Sequence, residues 1–305
     1  MEQLPQRTGP ANATRIPRQA NDDAQLIRLW LHGKSPRTQE AFLRDVHQFI
    51  DFADRPLQHV ILDDLQKWAD HLDRRGLSDA SRARKLAAIK SLFSFGHKIG
   101  YFVFNVGAAI ATPKVKDDLA ERILPREAVC RVLSMADNLR DAVLLRLFYA
   151  SGGRVSELAA LRWKSVVERP GKKGLSYGQV GLHGKGDKIR NVIVSSSTWS
   201  ELVRLRRHEQ DRGYGNPHDP VFRSRKGGHL SRKQLWLIVK RAAERAGCPQ
   251  SVSPHWLRHA HASHALDEGA PIHLVKETLG HKSLATTSRY THARPDDSSG
   301  RYLDV

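Results

Sequence analysis

Residues 255–264, HWLRHAHASH, place an imidazole and a guanidinium at a spacing that suits a phosphodiester. His255 and Arg258 stand three positions apart, so on a helix they share one face. The Arg258 fork can hold two nonbridging oxygens, and the His255 imidazole can donate or accept a proton. His255 and His259 also have the spacing of a zinc pair, but Trp256 stands where the motif HExxH requires glutamate. The pattern favours phosphate chemistry over a metal site.

A second candidate stretch is LGHKSLATTSRYTH, residues 279–292, in which Tyr290 follows His281 by nine positions. Among Thr, Ser and Arg, Tyr290 has little apolar company to bury its ring, which leaves the purpose of its hydroxyl open at this point. Gly280 suits a helix C-cap, and Ser283 can cap a short helix that runs roughly from Leu284 to His292 and carries Tyr290. Taken alone, Tyr290 is best interpreted as an amphipathic ring on a short surface helix.

Two further cations stand beside glycines. Arg154 follows a Gly-Gly pair in SGGRVSEL, where the backbone can approach another group closely. The alternative for Arg154 is an ordinary ion pair with Glu157. Lys185 lies in GKGDK, at the tip of a predicted hairpin, where it can enter a DNA groove or simply remain exposed. A P-loop is excluded there, because Gly186 replaces the required Ser or Thr and Gln179 replaces the first glycine.

The charge of the chain points to a polyanionic partner. Its 305 residues include 50 Lys and Arg against 32 Asp and Glu, a net charge of +18. Nucleic acid is the first candidate partner and an anionic membrane surface the second. We find no run of about 18 apolar residues and no signal-peptide core at the N-terminus, so a cytoplasmic location is expected. Cys130 and Cys248 are interpreted as small buried hydrophobes in a reducing compartment.

The hydrophobic periodicity predicts a mainly α fold with a small β-sheet. Residues 1–20 are interpreted as a flexible arm, 21–110 as a helical DNA core-binding domain, 111–122 as a linker and 123–305 as a catalytic domain. Capping signals and apolar spacing predict helices in the first domain. In one of them Ser35 can cap the helix with Pro36 at its first position, and Val46 and Phe49 belong to an apolar stripe. In the second, helical patterns run over the ranges 126–136, 138–151, 198–212, 230–246 and 255–278. Two strands joined by Gly-Lys-Gly-Asp interrupt them.

Basic residues in two helical stretches are candidates for contacts with DNA phosphates. In the first domain these are Arg82 and Lys85, for which a solvated helix face is an equal alternative. Residues 222–247 hold eight basic residues against one acid, Glu244. A solvated face does not explain that imbalance, whereas a phosphate-tracking surface does. The candidates there are Arg225, Arg232, Lys233 and Lys240.

The order of these motifs along the chain resembles the tyrosine recombinases, or phage integrase family, and is most similar to the bacterial Xer type. The matching strings are RVSEL from Arg154, GKGDK, HWLRHAHASH and LGHKSLATTSRYTH. The resemblance runs from about residue 21 to residue 292. It departs at Gly153, where many relatives carry leucine, and in the short polar tail after Tyr290.

This resemblance implies an N-terminal helical core-binding (SAM-like) domain and a C-terminal α+β catalytic domain. It implies that double-stranded DNA is cut and rejoined at a specific site through a 3′-phosphotyrosine, by a homo- or hetero-tetramer on paired sites. Such a reaction serves chromosome or plasmid dimer resolution, or the integration and excision of mobile elements. No cofactor, metal or membrane is implied.

The resemblance also assigns roles to the candidate residues. Arg154 and Arg258 would clamp the phosphate and His281 would hydrogen-bond to it. His255 would accept the proton of the nucleophile Tyr290. Lys185 would protonate the leaving 5′-oxygen.

Two other activities fit parts of the pattern. A type IB-like DNA topoisomerase would share the tyrosine and the arginines, and it would relax supercoiled DNA without a specific site. A DNA-binding regulator with an inactive centre is the other alternative. The presence of every residue needed for the chemistry argues against it.

Overall fold

A computed structural model of the chain describes residues 19–115, 119–171, 175–184 and 188–291. The chain divides into two compact units, with the boundary after residue 116. The predicted arm, through residue 18, lies outside the described residues, as do part of the predicted linker, the hairpin tip with Lys185 and the C-terminal tail. No helix in the described ranges is long and apolar enough to span a membrane.

The first unit is helical. Its helices are α1 (Asp23–Leu31), α2 (Pro36–Ala53), α3 (Leu62–Arg74), α4 (Asp79–Lys98) and α5 (Val106–Ala109), with a 3-10 turn at Leu57–His59.

Helix α2 illustrates how local signals set these boundaries. The Ser35 side chain accepts a hydrogen bond from the Thr38 backbone N–H, and Pro36 occupies the first turn. The predicted apolar stripe on α2 includes Val46 and Phe49, and both are fully buried in the core of the unit. The caps predicted from sequence are therefore confirmed for this helix.

The second unit combines helices with a small sheet. Its helices are α6 (Arg126–Ser134), α7 (Leu139–Ser151), α8 (Val155–Ala159), α9 (Ser196–Gln210), α10 (Arg232–Arg245), α11 (Pro254–Asp267), α12 (Ile272–Leu279) and α13 (Leu284–Ser288). Short 3-10 turns lie at Ala120–Arg122 and Trp163–Ser165. Its strands are β1 (Val166–Pro170), β2 (Ser176–His183) and β3 (Ile189–Val194).

The sheet has three antiparallel strands in the order β1-β2-β3, one more than the sequence predicts. Val166, Val180 and Val192 pair across it, and all three are buried. The edge strand β1 escaped prediction because charged residues and Pro170 follow its two valines, so it lacks an alternating pattern. The mainly α class with a small sheet is confirmed.

Two other expectations need correction. The helical pattern over residues 255–278 forms two helices, because Gly269 takes a positive φ and Pro271 caps the second helix. Cys130 is exposed and Cys248 is partly exposed, so neither is a fully buried hydrophobe. On α6 the core is reached by Ala128, Val129 and Val132, which leaves Cys130 on the opposite face.

Candidate active site

Arg258 lies where the ends of three helices meet. Its guanidinium is buried; it donates from Nη1 to the Gly152 carbonyl after α7 and from Nη2 to the Leu279 carbonyl of α12, the latter at 2.6 Å. Burial lowers the pKa of Arg258 to about 10, and the nearby charges of Arg154 and Arg190 add to the effect. The group still carries its charge at neutral pH, in an environment where that charge acts strongly.

Arg154 reaches the same turn from the start of α8. Its Nη2 donates to the Gly280 carbonyl at 3.3 Å, one residue from the Arg258 contact. Its Nη1 and its backbone N–H donate to the Glu157 carboxylate at 2.8 and 2.7 Å. Arg154 therefore pairs with Glu157, as the alternative interpretation expects, and it also lies beside Arg258 at the Leu279–Gly280 turn.

The Glu157 carboxylate is fully enclosed and also binds Arg190 of β3, a residue that the sequence did not single out. Arg190 donates to the two carboxylate oxygens at 2.6 and 2.7 Å and to the Thr278 carbonyl at 2.7 Å. Burial alone would raise the pKa of Glu157, but hydrogen bonds from Arg190 and Arg154 outweigh it and hold the pKa below the ordinary value. Two features of the sequence could have drawn attention to this pair: Arg190 stands shortly after GKGDK, and Glu157 stands three residues after Arg154.

Tyr290 is placed differently from the sequence expectation. Its ring is only 4% exposed and packs against Leu119, Ala262, Val275 and Leu279. These apolar neighbours lie on α11, on α12 and in the turn at Leu119, none of them adjacent to Tyr290 in the sequence, so the residues next to Tyr290 could not reveal them. Helix α13 ends at Ser288, and Tyr290 follows it in a turn. Burial raises the pKa of Tyr290 above its ordinary value.

The hydroxyl of Tyr290 contacts His259 and not His255. The distance from Tyr290 Oη to His259 Nδ1 is 2.7 Å. Burial lowers the pKa of His259 to about 4, with further contributions from the positive neighbours His255 and Arg258. The sequence placed His259 in the family motif without a role, because its partner lies 31 positions away.

His281 and His255 lie on either side of this pair. The His281 ring stacks on Tyr290 with centroids 6.3 Å apart, and its Nδ1 lies 2.9 Å from the Thr287 hydroxyl. Burial lowers the pKa of His281 to about 4, followed by the charges of Arg258 and Arg154. His255 is more exposed and its ring stacks on His259 at 6.3 Å. The pKa of His255 is also lowered, first by partial burial and then by Arg258 and Arg154.

Of the candidates for this centre, Lys185 alone falls outside the described residues. The strands that carry its hairpin are described, and the Gly184 N–H donates to the Lys188 carbonyl at 2.8 Å between them. Among the described residues no group of three or more His, Cys, Asp or Glu could hold a metal ion. The arrangement brings two guanidinium groups, those of Arg154 and Arg258, to the Leu279–Gly280 turn.

The candidate DNA-contacting residues fall into two classes. Arg225, Arg232 and Lys233 are exposed, whereas Lys240 donates to the Gln250 carbonyl and lies over the Trp236 ring.

In the first unit, Lys85 is buried and donates to Asp45 at 3.1 Å, and Arg82 pairs with Asp73 and Asp79. Lys85 therefore forms a buried ion pair, whereas a phosphate contact would require an accessible side chain.

Comparison with known proteins decides the family. The model of the phage integrase family matches residues 122–296, and that of the phage integrase N-terminal SAM-like domain matches residues 26–98. The tyrosine recombinase XerC of Xanthomonas campestris pv. campestris (strain B100) is 37% identical over 265 residues, 85% of this chain and 79% of that protein. The chain belongs to the phage integrase family. It is a tyrosine recombinase, as its motifs indicated.

Other relatives agree with this membership. The tyrosine recombinase XerC of Roseiflexus sp. (strain RS-1) is 33% identical over 287 residues, 88% of this chain and 89% of that protein. The Tn1549 transposon integrase in complex with circular intermediate DNA shares the fold, with a TM-score of 0.72 at 17% identity over 93% of this chain and 100% of that one. XerH site-specific recombinase bound to difH, in a pre-cleavage complex, has a TM-score of 0.68 at 23% identity over 91% and 83%. The two-part fold expected from the resemblance is thereby confirmed.

Proposed function

We propose that this tyrosine recombinase cleaves and rejoins double-stranded DNA at a specific site through a covalent bond between Tyr290 and a 3′-phosphate. The observation that carries the proposal is the convergence of Arg154 and Arg258 on the Leu279–Gly280 turn, with the Tyr290 ring packed against Leu279. A phosphodiester under attack gains negative charge on its nonbridging oxygens, and two guanidinium groups can neutralise that charge.

In this mechanism each residue has one task. The two arginines hold the phosphate, and His281 and His255 supply further hydrogen bonds to it. Tyr290 Oη attacks phosphorus, and Lys185 protonates the departing 5′-oxygen. Because one phosphoester replaces another, a second 5′-hydroxyl can reverse the step and join a different strand. The proposed reaction therefore requires no ATP, and its nucleophile is the tyrosine hydroxyl and not a metal-bound water.

The DNA surface proposed for the second unit is the basic face of α10 and the loop before it. Arg225, Arg232 and Lys233 are exposed there and carry positive charge toward solvent. We further propose that the enzyme acts in the cytoplasm as a homo- or hetero-tetramer on paired sites. A solved lambda integrase of the same fold is a tetramer bound to a Holliday junction, which supports that proposal.

Covalent capture tests the function and finds the DNA site in the same experiment. A library of nicked duplexes with randomised arms is incubated with the protein, and attached DNA is recovered under denaturing conditions and sequenced. The wild type is expected to enrich one sequence, and Tyr290→Phe to recover none. Relaxation of supercoiled plasmid by the wild type, without enrichment of any sequence, would favour the topoisomerase alternative instead.

A further inference from the structure

Although the family resemblance gave the role of base to His255, we propose that His259 accepts the proton of Tyr290 when that tyrosine attacks phosphorus. The inference rests on the proposed function and names a further catalytic residue for it. The sequence placed His259 in the family motif but gave it no role in the reaction.

Distance is the first argument. A base must lie within hydrogen-bonding reach of the proton that it removes. His259 Nδ1 lies 2.7 Å from Tyr290 Oη, and the two rings have centroids 5.7 Å apart. His255 lies one turn earlier on α11, and within the described part of the chain its ring stacks on His259 and not on Tyr290. In the proposed role a neutral His259 carries its own proton on Nε2, so that Nδ1 can accept the phenolic hydrogen.

The protonation states before DNA binds are also consistent with this role. Burial raises the pKa of Tyr290, whereas burial and positive neighbours lower the pKa of His259 to about 4. Both groups are therefore neutral at physiological pH, with the proton on the tyrosine and an empty acceptor position on the histidine. In the free protein the protonated, unreactive hydroxyl of Tyr290 is therefore already within hydrogen-bonding distance of its proposed base, His259.

Substrate binding changes this balance. The titratable and charged groups that face His259 are His255 and Arg258 on its own helix, and Arg122 and Arg289 from other segments. A phosphate bound between Arg154 and Arg258 opposes this positive field and raises the pKa of His259. At the same time the phenolic proton becomes more acidic as the Oη–P bond forms. Proton transfer is thus favourable only when DNA occupies the site.

The step is balanced in atoms and charge. The Oη–P bond forms while the P–O5′ bond breaks, and the phenolic proton moves to His259 Nδ1. The leaving 5′-oxygen takes its proton from the general acid. On religation the 5′-hydroxyl returns its proton to the deprotonated general acid as its oxygen attacks phosphorus, the Oη–P bond breaks, and the imidazolium of His259 returns its proton to Tyr290.

The test measures single-turnover cleavage of the nicked duplex selected by the wild type. In His259→Asn the amide oxygen can still accept a hydrogen bond from Tyr290 but cannot take a proton. We expect a loss of about 10²–10⁴-fold at neutral pH. Replacing Tyr290 with 3-fluorotyrosine, a more acidic phenol, should restore the His259→Asn rate by a larger factor than it changes the wild-type rate.

Two outcomes would overturn the proposal: cleavage by His259→Asn within a few-fold of wild type, or an equal effect of fluorotyrosine in both backgrounds. His255→Asn is the matched variant on the same helix; selective rescue by fluorotyrosine there would give the role to His255. Absence of any wild-type adduct would overturn the proposed function as well, whereas a wild-type adduct with an unaffected His259→Asn would overturn this inference alone.

Discussion

The guanidinium of Arg190 and the carboxylate of Glu157 form two parallel hydrogen bonds of 2.6 and 2.7 Å in the interior of the second unit. The same carboxylate binds Arg154, and Arg190 also binds the Thr278 carbonyl of α12. Strand β3, helix α8 and the end of α12 are thereby joined at one buried carboxylate. We infer that Glu157 and Arg190 fix the position of Arg154 beside the phosphate site.

Removing Arg190 should therefore cost both stability and activity. Arg190→Met leaves the buried Glu157 carboxylate with Arg154 as its remaining cationic partner, and we expect a loss on the order of 3 kcal/mol in the free energy of unfolding. Urea unfolding and single-turnover cleavage measure the two effects. In the matched control, Arg204→Met, the lost pair with Glu201 is exposed and 3.6 Å long, so the change should stay below about 0.5 kcal/mol. Equal effects of the two substitutions would contradict this account.

Gly152 should not tolerate a side chain. Its φ is +55°, and a Cβ atom would lie 2.6 Å from Leu279 Cδ2 and 2.9 Å from His261 Cδ2. Because the Gly152 carbonyl also binds Arg258, we expect Gly152→Ala to abolish adduct formation and to destabilise by more than the ~1–2 kcal/mol of the backbone strain alone. Gly247→Ala provides the strain-only control, since its φ is +68° and no atom of the described residues lies within 4 Å of the added carbon. A Gly152→Ala protein with normal cleavage would show that Arg258 does not depend on this contact.

These contacts show where sequence reasoning reached its limit. Helix caps are local, so Ser35, Gly280 and Ser283 could be assigned from a few neighbouring letters, and the structure confirms them. Strand β1 could not be assigned in this way, because it is short and carries mostly polar residues. Tyr290 was expected to lack apolar company, yet the residues that bury it belong to α11, α12 and the turn at Leu119.

The same limit applies to the chemistry. The order of Arg154, His255, Arg258, His281 and Tyr290 was sufficient to recognise the family. The sequence could not predict which side chains contact each other, because the Tyr290–His259 and Arg190–Glu157 contacts join residues more than 30 positions apart. In the first unit the sequence did not show that Lys85 pairs with a buried Asp45.

DNA affinity should distinguish exposed cations from paired ones. Each phosphate contact contributes a slope of about −0.9 to the plot of log affinity against log salt. We expect Arg232→Gln and Lys233→Gln each to reduce that slope by about one unit for the selected duplex, as measured by fluorescence anisotropy. Lys85→Met should leave the slope unchanged and instead lower the free energy of unfolding, because it removes the partner of Asp45. A smaller slope with an unchanged free energy of unfolding for Lys85→Met would instead place Lys85 on the DNA surface.

Stability should fall on mild acidification. The pKa values of His259, His261 and His281 are each lowered to about 4 in the folded protein, against about 6.5 when unfolded. Between these values the unfolded chain binds more protons, so the free energy of unfolding should decrease as the pH falls from about 6.5 to 4.

Urea titrations across this range measure the decrease. His261→Asn, whose amide can still donate to the Tyr149 carbonyl, should make it smaller. A free energy of unfolding that stays constant over this pH range would contradict the conclusion that these histidines are neutral in the folded protein. The contribution of Glu157 is separate, because its folded pKa is depressed and its stabilising effect is lost only as the pH falls below about 4.3.

The nucleophile is the central claim, and mapping the covalent bond tests it most directly. The adduct between the wild-type protein and the selected nicked duplex is digested with nuclease and protease, and the peptide that carries the nucleotide is sequenced by tandem mass spectrometry. We predict a 3′-phosphonucleotide on the hydroxyl of Tyr290 and no adduct from Tyr290→Phe. A nucleotide on any other residue, or an adduct that survives Tyr290→Phe, would contradict the account.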